Sequence, residues 1–454
     1  MFRLVSSMAR FSAWQLPPVN YRPEPYTGPP YEEVFRDRKG YLPNFHFTSY
    51  SSPLLITEGW MQYLYDHKGN RYLDLIAGIS TVSCGHSHPA ITKVVAEQAG
   101  KLVHTSTLFL NHWQGEYSRQ LSQLIGPDYD SVYLCNSGGE ANDFAVYLAR
   151  LYSGEYKFLS LENAYHGLVG NAANATSVPS WKGPMREAQD FHTLPWSSKY
   201  RSAYKNSDEL VEAAKQKLKK EIPNGKVSGL VFEPIQGVGG INIHHDGYLK
   251  KMTDYVRKEL GGLIIADEVQ TSFARTGTEY WGHKWQGIKP DIVTMAKGIG
   301  NGYPLAAVVT TKEVTNKVKQ LFFNTYGGGP IQCRVGLEVI KIIREEKLGE
   351  NAEKVGGYFL SELQKIADKN PYIGDVRGRG LMIGIEMVKD KETKEPFAEG
   401  TAKLLELFRE RGVIVGKGGV FGNVVRIQPP LCLSLEDAKH TVQAFEDSLK
   451  HIKV

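Results

Sequence analysis

Between residues 131 and 310 the chain repeats one pattern: a short apolar run, a stretch with helical spacing, then another apolar run. The runs are Ser131-Val132-Tyr133-Leu134-Cys135, Tyr156 to Leu161, Leu230-Val231-Phe232, residues 262–266, Asp291 to Met295 and Ala306 to Thr310. Glu140 to Tyr152 and Tyr248 to Leu260 are predicted helices among them. Runs this short and continuous suit strands buried on both faces, and helices between strands imply a parallel sheet. Such sheets bind ligands at the carboxyl ends of their strands. Two of these ends carry charge. Leu263-Ile264-Ile265-Ala266 leads into Asp267, and Ile292-Val293-Thr294-Met295 leads, through Ala296, into Lys297.

At 454 residues the chain is too long for one ordinary domain and suits a large domain with a smaller one. The expected division is a possible leader at 1–22, an arm with a hairpin at 23–84, a large domain at 85–334 and a small one at 335–454. The hairpin is read from Tyr63-Leu64-Tyr65-Asp66 and Tyr72-Leu73-Asp74-Leu75, with its turn at Gly69-Asn70. Past residue 335 two long predicted helices precede the runs Met382 to Met387 and Val424 to Ile427, an α+β texture. Residues 181–222 read as a polar, irregular surface excursion.

The net charge of +5 is spread along the chain with acids and bases interleaved, which argues against a nucleic-acid partner. No apolar stretch approaches the roughly 20 residues that span a bilayer. Cys84, Cys135, Cys333 and Cys432 lie far apart, which argues against a disulfide framework or a thiolate metal site and for a reducing interior. Met1 to Arg22 holds Arg3, Arg10, Arg22, several serines and no acid. Phe2, Leu4, Val5, Met8, Phe11 and Trp14 could share a helix face there. That is the composition of a mitochondrial transit peptide, with a cytosolic terminus as the alternative.

Several constellations carry chemistry. Asn136-Ser137-Gly138-Gly139-Glu140 joins a predicted strand to a predicted helix. Its glycines and free helix N–H groups suit a phosphate, or the segment is a plain turn capped by Ser137. Tyr165 follows the next strand, where it could stack on a flat ring or simply pack. The run ending in Asp267-Glu268 also resembles the magnesium strand of a P-loop ATPase, but the chain lacks G-x-x-x-x-G-K-[ST]. A dinucleotide fingerprint fails too, because Gly378 to Gly384 has one residue too many and leads into a strand. His86 and His88 at i, i+2 read as structural, not as a metal site, and His244-His245-Asp246 reads as a solvated loop. A lysine amine and a carboxylate on one sheet rim suit pyridoxal phosphate, whose aldehyde condenses with an amine and whose ring nitrogen an acid keeps protonated.

Together these segments resemble the class III pyridoxal phosphate-dependent aminotransferases over roughly residues 40 to 450. The similarity runs through Gly85 to Pro89, Asn136 to Asn142, Tyr165-His166-Gly167 and Glu233-Pro234-Ile235-Gln236-Gly237. It continues through Asp267 to Thr271, Met295-Ala296-Lys297-Gly298, Thr325-Tyr326-Gly327-Gly328 and Val376 to Leu381. Within the family, His104 to Thr107, Ile299 to Gly302 and Gly374 to Val388 resemble the mitochondrial alanine–glyoxylate branch.

The resemblance implies an aspartate-aminotransferase-like (fold type I) α/β large domain with a mostly parallel sheet and a smaller α+β domain. It implies that Lys297 attaches the cofactor and then moves the substrate proton, with Asp267 on the ring nitrogen. Val269 and Tyr165 would bracket the ring, Gln270 would bond its phenolic oxygen, Gly138 and Gly139 would cradle the phosphate, and Glu233 would sit at the ring's edge. Thr325 would reach the phosphate across a homodimer interface, so the sites would be shared. Arg426 would take the substrate carboxylate. In the related ornithine aminotransferases a glutamate masks this arginine, whereas Val238 stands at that position here. The expected partners are small amino and oxo acids, and the expected reaction is L-alanine with glyoxylate giving pyruvate and glycine. Another class III activity is the alternative: an ornithine, β-amino acid or ω-amine aminotransferase, or an amine-phosphate phospho-lyase. Departures from the family pattern are Gly139 for a hydroxyl residue, Ser272 and Ala274 for glycines, and Gly329 for asparagine.

Overall fold

The structure is a computed structural model that describes residues 14–182 and 188–453. After a helix at Tyr31–Tyr41 come β1 (Ile56–Trp60), β2 (Tyr63–Asp66) and β3 (Arg71–Asp74), an antiparallel meander. The expected hairpin turn is present. The Asp66 carboxylate accepts from the N–H groups of Lys68 and Asn70, and Gly69 takes the left-handed conformation (φ 77°).

The central sheet follows: β4 (Ser131–Cys135), β5 (Phe158–Leu161), β6 (Phe191–Leu194), β7 (Gly229–Phe232), β8 (Leu263–Asp267), β9 (Ile292–Met295) and β10 (Ala306–Thr310). Their spatial order is β4-β10-β9-β8-β7-β5-β6. Every pair from β9 to β6 is parallel, as the alternating pattern predicts. β10 is antiparallel to both β9 and β4, so the sheet is mixed at one side. The cause is chain length: residues 296–305 are too few for a parallel crossover, which takes about a dozen or more. Two reversals leave β4 pointing the same way as β9. The carboxyl ends of β4, β5, β7, β8 and β9 therefore share one rim.

Side chains alternate across this sheet. Leu230, Phe232, Ile264 and Ala266 pack with residues of the helices Ser207–Glu221 and Tyr248–Glu259. Val231 and Ile265 on the same strands pack the other way, with residues of the helix Gly138–Ser153. Burial on both faces explains why these strands read as continuous apolar runs and not as alternating ones.

The expectation for 181–222, of which 183–187 lie outside the described residues, is overturned at 191–194 and 207–221. β6 is an edge strand of the main sheet, and Ser207–Glu221 is a helix whose first N–H groups are capped by Asn206. Leu210, Val211, Ala214 and Leu218 form its buried stripe, while Lys215, Lys217, Lys219 and Lys220 on the remaining faces make the segment look polar throughout. The His244-His245 reading also fails, because both rings are buried. The helices Tyr31–Tyr41 and His112–Ile125 have no counterpart among the sequence expectations.

The second unit carries β11 (Ile373–Arg379), β12 (Met382–Met387), β13 (Val413–Ile414), β14 (Gly416–Gly418) and β15 (Val424–Ile427). An antiparallel sheet is ordered β11-β12-β15-β14, while β13 pairs in parallel with β3. C-terminal residues thus complete the N-terminal sheet. The expected leader lies outside the described residues up to position 13. Beyond it, Trp14, Leu16, Val19 and Tyr21 pack against the main core, with the Tyr21 ring stacked on Trp60.

Glu268 shows how the rim is held. This wholly buried carboxylate accepts from the Thr271 hydroxyl, the N–H groups of Gly282 and His283, and His283 Nδ1. Glu268→Leu leaves those donors unpaired, so unfolding by denaturant should show a loss of about 3 kcal/mol or more. A loss below about 1 kcal/mol would mean that water replaces the carboxylate.

Candidate active site

A cleft of about 480 Å³ opens at the shared rim. That volume suits a small cofactor with its substrate. Turns after five strands line it: Gly138 and Gly139 after β4, Tyr165 and His166 after β5, Glu233 after β7, Val269 and Gln270 after β8, and Lys297 after β9. Asp267 at the end of β8 lines it as well.

Asp267 is 4% exposed. Its Oδ2 accepts from Asn142 Nδ2 at 2.7 Å and lies 2.7 Å from His166 Nδ1, while Oδ1 accepts from the Val269 N–H at 3.0 Å. Asn142 is itself fixed, because its Oδ1 accepts from the Thr294 hydroxyl on the neighbouring strand. Sequence reasoning gave neither Asn142 nor His166 a role. Both fall inside the motifs that flank the cleft, which was the available signal, but their convergence on one carboxylate depends on strand order.

Lys297 opens a short 3₁₀ turn and sits in the left-handed region at φ 51°. A lysine there is strained, and such strain persists only where surrounding packing enforces it. Burial lowers its amine's pKa to about 8, Asp267 and Glu233 oppose that drop, and Arg426 adds to it. About half of an amine so placed is neutral, and so able to act as nucleophile or base, near pH 8.

Gly138 and Gly139 are the first two residues of a 16-residue helix. Ser137 and Glu140 form a capping box, in which the Glu140 carboxylate takes the N–H groups of Asn136 and Ser137. The plain-cap reading of Ser137 and the anion reading are therefore compatible, since the two glycine N–H groups are left to the cleft. A side chain is excluded here: a Cβ on Gly138 would meet the Val269 methyls at 2.9 Å.

Glu233 is buried, and its carboxylate accepts from the N–H groups of Tyr165 and Gly237. Burial raises its pKa, with the His166 charge opposing and Asp267 adding. His244, expected in solvent, instead lies within 3.1 Å of the Glu233 carbonyl, and burial lowers its pKa to about 4. The Tyr165 ring meets Trp181 edge-on. Gln270 Oε1 accepts from Arg426 at 3.1 Å, which leaves its NH₂ group as a donor. Arg426 is buried on β15, and burial lowers its pKa to about 10, with Glu233 opposing. Thr325 is exposed and does not line the cleft of its own chain.

The sequence profile of the class-III aminotransferases matches residues 47–449. This chain is a class III aminotransferase. An Arabidopsis thaliana protein named alanine–glyoxylate aminotransferase 2 homolog 2, mitochondrial, is 43% identical to it over 436 residues, 96% of this chain and 91% of that one. An (S)-enantioselective ω-transaminase from Thermomicrobium roseum superposes with a TM-score of 0.85 at 32% identity, covering 92% of this aminotransferase and 98% of that chain. A phospholyase from Arthrobacter, in complex with phosphoethanolamine, gives 0.85 at 31% identity, covering 93% and 100%. The aminotransferase uses pyridoxal 5′-phosphate, the cofactor of its family. The residues present fit that group: a side-chain-free helix N-terminus for its phosphate, a buried anion for its ring nitrogen, and an amine with a lowered pKa.

Proposed function

We propose that this aminotransferase exchanges an amino group between an α-amino acid and a 2-oxo acid, with L-alanine and glyoxylate as the pair. Arg426 carries the reading. It is a buried cation whose head-group acceptors are amide oxygens and not a carboxylate, which leaves it suited to a substrate carboxylate. Val238 adds no acid to mask it. The name of the Arabidopsis relative supports the same pair and a mitochondrial address.

Pyridoxal phosphate supplies an aldehyde that takes up the nitrogen and a ring that spreads the electrons left at Cα. Lys297 holds it and moves the proton at Cα. Asp267 keeps the ring nitrogen protonated, braced by Asn142 and His166. Gly138 and Gly139 would take the cofactor's phosphate, Val269 and Tyr165 would bracket its ring, Gln270 would donate to its phenolic oxygen, and Glu233 would set the charge at the ring's edge.

Thr325 completes the phosphate site of a second copy in a homodimer. The segments around it support this. Leu110 and Leu321 are fully exposed, and the His104 ring lies 5.3 Å from that of Tyr326. An apolar patch of this kind commonly marks an interface. Sedimentation should give a dimer, and Leu110→Asp should shift it towards monomer with loss of activity at low protein concentration. A monomeric, fully active parent would refute the shared site.

A panel of amino donors against glyoxylate and pyruvate tests the substrate pair. L-alanine with glyoxylate should give the highest kcat/KM, and a better amine lacking a carboxylate would overturn it. The phospholyase neighbour makes phosphoethanolamine the second substrate to try. Besides Arg426, which stands behind the lining residue Gln270, the cleft offers only Lys297 among lysines and arginines in the described residues, and this is poor provision for a phosphate in addition to the cofactor's. Phosphate release from that compound should be negligible.

A further inference from the structure

Gln428 belongs to no motif that led to the site. It lies two residues beyond Arg426 and is completely buried. Its Oε1 accepts from Arg426 Nη2 at 2.5 Å. Its Nε2 donates to Gln270 Oε1 at 3.1 Å and to Ser80 Oγ at 2.6 Å. Gln270 Oε1 therefore receives both Arg426 and Gln428. Two neutral amides thus converge on Nη2 of the guanidinium, the Ser80 hydroxyl holds Gln428 from behind, and the buried Arg426 Nε is left without a partner.

The cradle ties together three parts of the chain. The Arg426 stem is pinned by β14, where a Cβ on Gly418 would meet its Cδ at 2.5 Å. Gln270 lines the cleft. Ser80 ends the run Ala77-Gly78-Ile79-Ser80, in which every residue is left-handed, with φ between 50° and 66°. The start of that run is held by Asp74, whose Oδ1 accepts from the N–H groups of Ile76 and Ala77. Gln428 holds its other end. A buried arginine fork without such anchors has several rotamers, and bidentate recognition needs one.

We propose that Gln428 is a specificity-determining positioning residue: it fixes the Arg426 fork through neutral contacts, so that the full positive charge remains for a substrate carboxylate. This rests on the reading of Arg426 as the carboxylate site. The chemistry of the cradle sets the preference. An amide oxygen orients the guanidinium without neutralising it. A carboxylate at the same place would form a bidentate ion pair and compete directly with the substrate.

The test uses the holoenzyme and propionate, an unreactive carboxylate, with binding measured by calorimetry. Gln428→Ala should weaken propionate about tenfold, and Gln428→Glu about a hundredfold, the range that charged hydrogen bonds span. Arg426→Leu should weaken it at least as much as Gln428→Glu. The dissociation constant of pyridoxal phosphate should stay within about threefold throughout. Gln428→Glu keeps the side chain's shape, so it serves if the alanine variant fails to fold. Unchanged propionate binding in Gln428→Glu, with loss in Arg426→Leu, overturns the role of Gln428 alone. Unchanged binding in Arg426→Leu overturns the carboxylate-site reading and this proposal with it. Parallel loss of propionate and cofactor in both Gln428 variants shows a merely structural residue and also overturns it.

Discussion

Lys297→Ala is expected to lower transamination by a factor of about 10⁴ or more while leaving the chain folded, since it removes both attachment point and proton carrier. Borohydride reduction of the parent should fix the cofactor to the peptide bearing Lys297, and the variant should remain unlabelled there. Turnover within tenfold of the parent would refute the assignment. The same residue makes a second, independent prediction about stability. In the cofactor-free chain, burial brings its pKa from the ordinary 10.5 to about 8. Between those values the unfolded chain holds a proton that the folded chain has released. The lowered pKa thus works against folding fully below pH 8, and this opposition fades as pH rises towards 10.5. Its full span is at most roughly 3 kcal/mol. Lys297→Met should therefore melt higher than the cofactor-free parent at pH 7, and the gap should shrink by pH 10. A gap independent of pH would show that the amine is not desolvated as its surroundings imply.

Asp267→Asn is expected to cost about 10²–10³-fold in kcat, in line with loss of a buried group aimed at charge in a transition state. The substitution keeps volume and removes the anion. Asn142, His166 and the Val269 N–H, all now turned to this carboxylate, would face a neutral amide. Cofactor affinity should fall as well, because the ring nitrogen's proton loses its partner. Activity within tenfold of the parent, with unchanged cofactor affinity, would place the ring elsewhere in the cleft.

The two cases differ in how they could be seen beforehand. Lys297 and Asp267 announce themselves because each ends an apolar run, and a strand buried on both faces can release a charge only at its end. Gly138, Gly139 and Tyr165 stand at the ends of other strands, where a structural role was equally open, and Val269 and Gln270 were implied only by the family resemblance. The helix Ser207–Glu221 stayed hidden because charged residues on its outer faces outnumber the four apolar residues of its stripe. The burial of His244 was equally hidden, since nothing local distinguishes a solvated His-His-Asp from one packed behind Glu233. Gln428 carries no pattern at all: a glutamine after an apolar strand is ordinary until its partners from residues 80, 270 and 426 are brought together.

The sequence by itself determined the α/β class, the central sheet's strands other than β6 and their rim, the family, and the cofactor that goes with it. These follow from short-range regularities, since burial on both faces, turn chemistry and the order of motifs are all written locally. Tertiary structure alone decided that C-terminal β13 completes the N-terminal sheet and that Asn142 and His166 brace Asp267. It also decided that Arg426 rests on neutral amides. Each of these joins residues far apart in the chain, and such meetings are set by how the elements pack, which no local pattern encodes.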